Sequence, residues 1–315
     1  MNPVLIASDV TKRYGDLVAL SAVSVTIGRG ESVAIMGASG SGKTTLLHAL
    51  AAVIAPDAGS VRLFAASGAA PLELVGMTES QRSAVRREQV GFVFQEHLLL
   101  PELTALENAA LPLLVLGMPR READLRAAAW LAALGLAGME DRRIGQLSGG
   151  QAQRVAIARA QVTGAPVVFA DEPTGALDSH TSDEVMAALL HATTGQGRSL
   201  VVVTHDADVA ARCDRVLHMR DGRLVDAAAA PAAAAVPPTA SLAAAAPTPP
   251  LPAAADWPAP PRPAAPTAPT ASPATPVAAA AAPTPQHPAA ADWPAPPLPV
   301  AVQNPAAAQN AGASR

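Results

Sequence analysis

Two short stretches of this 315-residue chain carry residue types at spacings that could do chemistry. The first, Gly37-Ala38-Ser39-Gly40-Ser41-Gly42-Lys43-Thr44, has the glycine, lysine and threonine spacing of a phosphate loop. Glycines let successive backbone N–H groups turn onto phosphate oxygens, and a helix start behind them adds partial positive charge. In such a loop Lys43 would neutralise the β and γ phosphates, the Thr44 hydroxyl would ligate Mg²⁺, and Thr45 would follow in the helix. The second, Val167-Val-Phe-Ala-Asp171-Glu172, is an apolar run ending in two acids. Two carboxylates ending a buried strand are costly without a cation. Asp171 is therefore expected in the magnesium shell, through water, with Glu172 polarising an attacking water. Removing a γ-phosphate is mostly positioning and charge neutralisation, so one aligned carboxylate suits the task.

A third stretch, residues 146–160, reads QLSGGQAQRVAIARA. A serine and two glycines precede an apolar stripe of Val155, Ala158 and Val162, the pattern of a helix whose start could hold an anion. The chain thus carries two anion cradles far apart in sequence.

The elements that must position these residues follow from periodicity. VLIASDV, SAVSVTI and SVAIMG are short β-branched runs, and the last passes through the glycine loop into TLLHALAAVI, which has helical spacing. Thr78 and Gln81 form a capping box for a helix up to Glu88, and VGFVFQ (90–95) reads as a buried strand. Leu106 to Leu136 is helical with a break near Gly117 and Pro119. PVVFADE is continuously apolar, as in a strand covered on both faces. A helix over Ser179 to Ala192, the strand SLVVVTH and a pair hinged at Asp221-Gly222 complete the set. Strands alternating with helices predict an α/β core with parallel strands.

Composition divides the chain. Residues 1–226 hold 44 of the 48 Asp, Glu, Lys and Arg side chains and 8 of the 31 prolines, so the Ala/Pro-rich remainder cannot bury enough apolar area to fold. Residues 227–315 are expected to be a disordered low-complexity tail. PTPPLPAAADWPAPPRP (247–263) recurs in it as PTPQHPAAADWPAPPLP (283–299), either as duplicated neutral linker or as a docking peptide. The net charge of −4 lies in residues 1–226 and lacks the basic footprint of a nucleic-acid binder. The lone Cys213 points to a reducing compartment. No secretory signal is recognised, and the nearest approach to a membrane span, Ala109 to Met118, is too short and contains Pro112 and Gly117.

Leu147-Ser148-Gly149-Gly150-Gln151 resembles the signature motif of ATP-binding cassette (ABC) proteins, upstream of the Asp-Glu strand as that family requires. Tyr14 is similar to the aromatic that stacks on adenine, and Gln95 to the loop glutamine that senses Mg²⁺ and nucleotide. Asp178 in GALD resembles the loop residue that touches the opposite subunit, and His205 the switch histidine near the γ-phosphate. Within the family, ADEPTGALDS and residues 97–120 resemble the macrolide-export and lipoprotein-release branch, which also includes a cell-division ATPase. Ala152 and Ala176 depart from residues common there, as does the missing proline before the signature.

The resemblance implies a phosphate-loop ATPase core with an antiparallel β subdomain and a helical subdomain over about 97–162, together spanning residues 1–226. It also implies ATP with Mg²⁺ as cofactors, the metal held by Thr44, Gln95 and Asp171. Glu172, His205, Gln95 and Lys43 would be catalytic. Two copies, or this chain with a second such ATPase, would close head to tail. Ser148, Gly149, Gly150, Gln151 and Asp178 would then serve the ATP of the other subunit, which explains the second cradle. The dimer would drive a separate transmembrane permease from the cytoplasmic face of the membrane. The alternative is the same ATPase powering a membrane partner that transmits force to a cell-envelope enzyme.

Overall fold

The computed structural model describes residues 2–64 and 70–225. The low-complexity tail and its duplicated segment lie outside the described residues. Two long strands open the chain, β1 (Pro3–Tyr14) and β2 (Leu17–Gly28), followed by β3 (Ser32–Met36) and α1 (Lys43–Leu50). Next come β4 (Ala58–Leu63), β5 (Leu72–Glu73), α2 (Glu79–Gln89) and β6 (Val90–Val93). The helices α3 (Ala105–Val115), α4 (Arg120–Ala133) and α5 (Gly149–Gln161) precede β7 (Val167–Asp171) and α6 (Ser179–Ala192). The strand β8 (Ser199–Val203), the single turn α7 (Ala207–Ala210), and the pair β9 (Arg215–Arg220) and β10 (Arg223–Val225) finish the order.

These strands form two sheets. One is antiparallel, in the order β2-β1-β4-β5, and the other runs β10-β9-β3-β8-β7-β6. In the second sheet β9, β3, β8, β7 and β6 are mutually parallel and β10 is antiparallel at the edge. Strands β3, β6, β7 and β8 are covered on both faces, as their continuous apolar runs predict, whereas β9 and β10 expose alternate residues. Alternation along each strand shows this: Val168, Ala170, Leu200 and Val202 enter one core, with α3, α4, α5 and α6. Val167, Phe169, Val201 and Val203 enter the other, with α1 and the antiparallel sheet.

Helix starts follow the capping chemistry of the sequence. Thr78, Thr104 and Ser148 each accept from the backbone N–H three residues on, while Gln81, Glu107 and Gln151 reach back to the cap N–H. One expected helix is shorter than its periodicity suggests. The helical spacing of TLLHALAAVI runs to Ile54, but α1 ends at Leu50 because Ala52 adopts φ 58°. The N–H groups of Val53 and Ile54 then turn back to the His48 carbonyl.

Candidate functional site

The loop between β3 and α1 lies beside the ends of β7 and β8, and the arrangement opens a cleft of about 820 Å³. Its lining includes Tyr14, Ser39, Gly40, Gly42, Lys43, Thr44 and Thr45, with Gln95, Asp171, Glu172 and His205. Parallel strands deliver their C-terminal ends to one edge of a sheet, which is where α/β proteins hold ligands. Residues far apart in sequence thus converge: Gln95 just past β6, Asp171 and Glu172 ending β7, and His205 just past β8.

The loop is locally specified. Gly42 adopts φ 99°, and a Cβ there would lie 2.5 Å from the Ala19 carbonyl oxygen, so only glycine fits. Ser41 N–H donates to Ala38 O at 3.2 Å, closing the turn. Lys43 is buried, and its Nζ donates to the carbonyls of Gly37 and Ala38 at 2.9 Å each. The loop therefore holds its own cation in place.

Thr44 Oγ1 donates to Asp171 Oδ1 at 3.3 Å. Burial raises the Asp171 pKa, opposed chiefly by the nearby His48 and then by the Thr44 hydrogen bond. Glu172 sits at φ 46°, and its carboxylate oxygens lie 2.9 and 2.8 Å from His205 Nδ1. That contact raises the His205 pKa, through the hydrogen bond first and the charge of Glu172 second.

At the far end Tyr14 closes β1, half exposed, with Lys12 Nζ 5.5 Å from its ring centroid. Lys12 is in turn paired with Asp57 at 2.9 Å. Tyr14 shares this end with Leu17, Val18 and Ala19, and the cleft is also bounded by Asp221 and Gly222. No sequence motif marks Leu17, Val18 and Ala19, and Asp221-Gly222 reads in sequence only as the hinge of the last strand pair. They reach the cleft through a long-range contact in which Ser21 N–H donates to Gly222 O at 2.8 Å.

The remaining predicted residues are not in the cleft lining. Ser148 caps α5, with its Oγ accepting from Gln151 N–H at 3.3 Å and Gln151 Oε1 accepting from Ser148 N–H at 2.9 Å. Gly149 and Gly150 form the first turn of that helix. Asp178 caps α6, with both carboxylate oxygens engaged by Thr181, which holds its pKa below the ordinary carboxylate range.

Comparison with known proteins fits this geometry. The ABC transporter family model matches residues 20–175. The lipoprotein-releasing system ATP-binding protein LolD of Bordetella pertussis is 46% identical over 226 residues, covering 70% of this chain and 95% of that protein. The macrolide export ATP-binding/permease protein MacB of Chromobacterium violaceum is 46% identical over 217 residues, but the chain spans only 33% of its length. Among solved structures, the dimeric post-hydrolysis state of the ATP-binding cassette MJ0796 bound to ADP and Pi is 38% identical with a TM-score of 0.62. It covers 70% of this chain and 96% of that one. This chain belongs to the ABC transporter family, as an ATP-hydrolysing nucleotide-binding cassette similar to those of LolD and MacB.

Proposed function

We propose that two copies of this chain close head to tail around two ATP molecules and drive a separate transmembrane permease. One observation carries the reading. The cleft gathers Ser39, Gly40 and Gly42 to Thr45 of the phosphate loop with Gln95, Asp171, Glu172 and His205, while Ser148, Gly149, Gly150, Gln151 and Asp178 are absent from its lining. A capped helix start with two glycines offers backbone N–H donors to an anion. A second copy supplies it, and twofold symmetry makes two such composite sites. The similarity to MJ0796, solved as a dimer, supports this arrangement.

In each site Tyr14 stacks on adenine, Gly37 to Thr45 wrap the phosphates, and Lys43 leaves the Gly37 and Ala38 carbonyls for the β and γ phosphates. Mg²⁺ suits the residues present: a hydroxyl and a half-buried carboxylate 3.3 Å apart are the hard oxygen donors that ion takes alongside substrate phosphates. Thr44 would hold it directly and Asp171 through water, and Gln95, which lines the same cleft, would complete the set. Bound there, it would neutralise charge on the phosphates. Glu172 aims the attacking water, and His205 holds Glu172 until the γ-phosphate competes for the imidazole.

The permease is proposed to insert a short cytoplasmic helix into a groove between the core and the helices. That groove is lined by Phe92, Phe94, Leu98, Pro112 and Arg159 among others, with Leu98 exposed. Among the described residues no helix is long and apolar enough to cross a membrane. The proposed attachment at the cytoplasmic face runs through that partner. LolD and MacB are named for release and export, which supports a transport role over force transmission to an envelope enzyme.

Glu172→Gln tests the reading: it should retain ATP binding, accumulate as an ATP-dependent dimer in size-exclusion chromatography and abolish turnover. Normal hydrolysis by that variant would remove Glu172 from its role.

A further inference from the structure

The helix α5 reaches the catalytic loop of its own chain through one buried side chain. Gln153 is fully buried, and its Nε2 donates to the carbonyl of Pro173 at 2.7 Å. Pro173 directly follows Glu172. The Gln153 Oε1 is buried with no hydrogen-bond partner. A buried amide with an orphan acceptor is costly, and an apolar side chain of similar size would fill the space without that cost. The one bond that Gln153 makes is therefore its distinguishing contribution.

Glu172 needs such support. A non-glycine residue at φ 46° persists only where its surroundings fix it. Its N–H donates to Val203 O at 2.9 Å, and its carbonyl accepts from Gly175 N–H at 3.0 Å. Pro173 has no N–H to donate, so on the main chain its carbonyl is the group that can be held, and Gln153 holds it. The same helix also grips the loop after Gln95. Arg159 donates to the carbonyls of His97 at 2.8 Å and Leu98 at 2.6 Å, two further residues with positive φ.

We infer that Gln153 is a positioning residue that couples the two ATP sites of the dimer. The start of α5 meets the partner's nucleotide, and Gln153, less than two turns on, fixes the Pro173–Thr174 peptide, one residue beyond Glu172 of its own cleft. Movement of α5 on closure then re-aims that carboxylate. This inference rests on the reading above, in which Glu172 is catalytic and Ser148 to Gly150 serve the partner's ATP.

Gln153→Met fills the space and lacks the donor. In steady-state assays of the full chain, kcat should fall about tenfold while KM for ATP changes less than about twofold, the pattern of a lost transition-state interaction. The Gln153→Met, Glu172→Gln double variant should still form the ATP-dependent dimer. An unchanged kcat, or loss of the dimer, overturns the inference. If Gln153→Met does not fold by thermal melting, Gln153→Glu decides. A buried carboxyl is neutral at lower pH and only then donates, so its kcat relative to wild type should rise as pH falls, and a flat ratio overturns the inference. The two readings fail separately. Normal turnover by Glu172→Gln sinks the catalytic assignment, whereas an inactive Glu172→Gln beside a fully active Gln153→Met sinks only the coupling.

Discussion

The imidazole of His205 spans the carboxylate of Glu172, its Nδ1 lying 2.9 Å from one oxygen and 2.8 Å from the other. In this state the carboxylate proposed to aim the water is occupied by a neighbour from the end of the adjacent strand. In the proposed mechanism, nucleotide loosens that contact before the carboxylate acts on water.

The contact has a pH signature. Glu172 raises the His205 pKa above its ordinary 6.5, so the protonated ring is favoured in the folded chain. The stabilisation from this pair is complete below pH 6.5 and fades as pH rises through the elevated value. His205 is largely exposed, so the effect on overall stability is small. In an NMR titration of the nucleotide-free protein, His205 should titrate above 6.5, and Glu172→Gln should move it back down. An unchanged midpoint in that variant would contradict the pairing.

Ser148→Arg places a long cation at the start of α5, outside the cleft of its own chain. ATP affinity of the monomer should stay within about twofold of wild type, because Ser148 lies outside that cleft, while turnover is lost because the bulky side chain keeps the partner's phosphates from seating on the helix start. Fluorescent-nucleotide titration at low protein concentration reads the first and phosphate release the second. A large loss of monomer affinity would count against a composite site.

Gly150 is fixed by its neighbour. A Cβ there would come within 2.4 Å of Thr181 Cγ2, and Thr181 cannot rotate freely because its hydroxyl and N–H are both bonded to Asp178. Gly150→Ala should destabilise the fold by about 1–3 kcal/mol through overpacking. Thr181→Ser removes that methyl and keeps the hydroxyl, so denaturant unfolding of the double variant should recover most of the loss. Additive losses would mean the clash lies elsewhere.

Much of this site was legible because its chemistry is local. The phosphate loop needs residues 37–44 to be contiguous, and the Thr78–Gln81 box and the helix start at Ser148 are each written within a few residues. What escaped depends on contacts between distant segments. Leu17, Val18 and Ala19 enter the cleft through the Ser21–Gly222 contact, which no window of sequence contains. The end of α1 escaped because Ala52 carries no glycine or proline to announce its positive φ. β4 and β5 escaped because one is half polar and the other has two residues, so alternation had too little length to register. Gln153 sits inside a recognised motif, yet its grip on Pro173 crosses to another element.

The central claim is that each ATP site is built from two chains. The most direct measurement is the specific ATPase activity of the full chain over a dilution series at saturating ATP, with mass photometry reporting the dimer fraction. We expect activity per molecule to fall on dilution in step with the dimer. Constant activity per molecule in a sample shown to be monomeric would contradict the account.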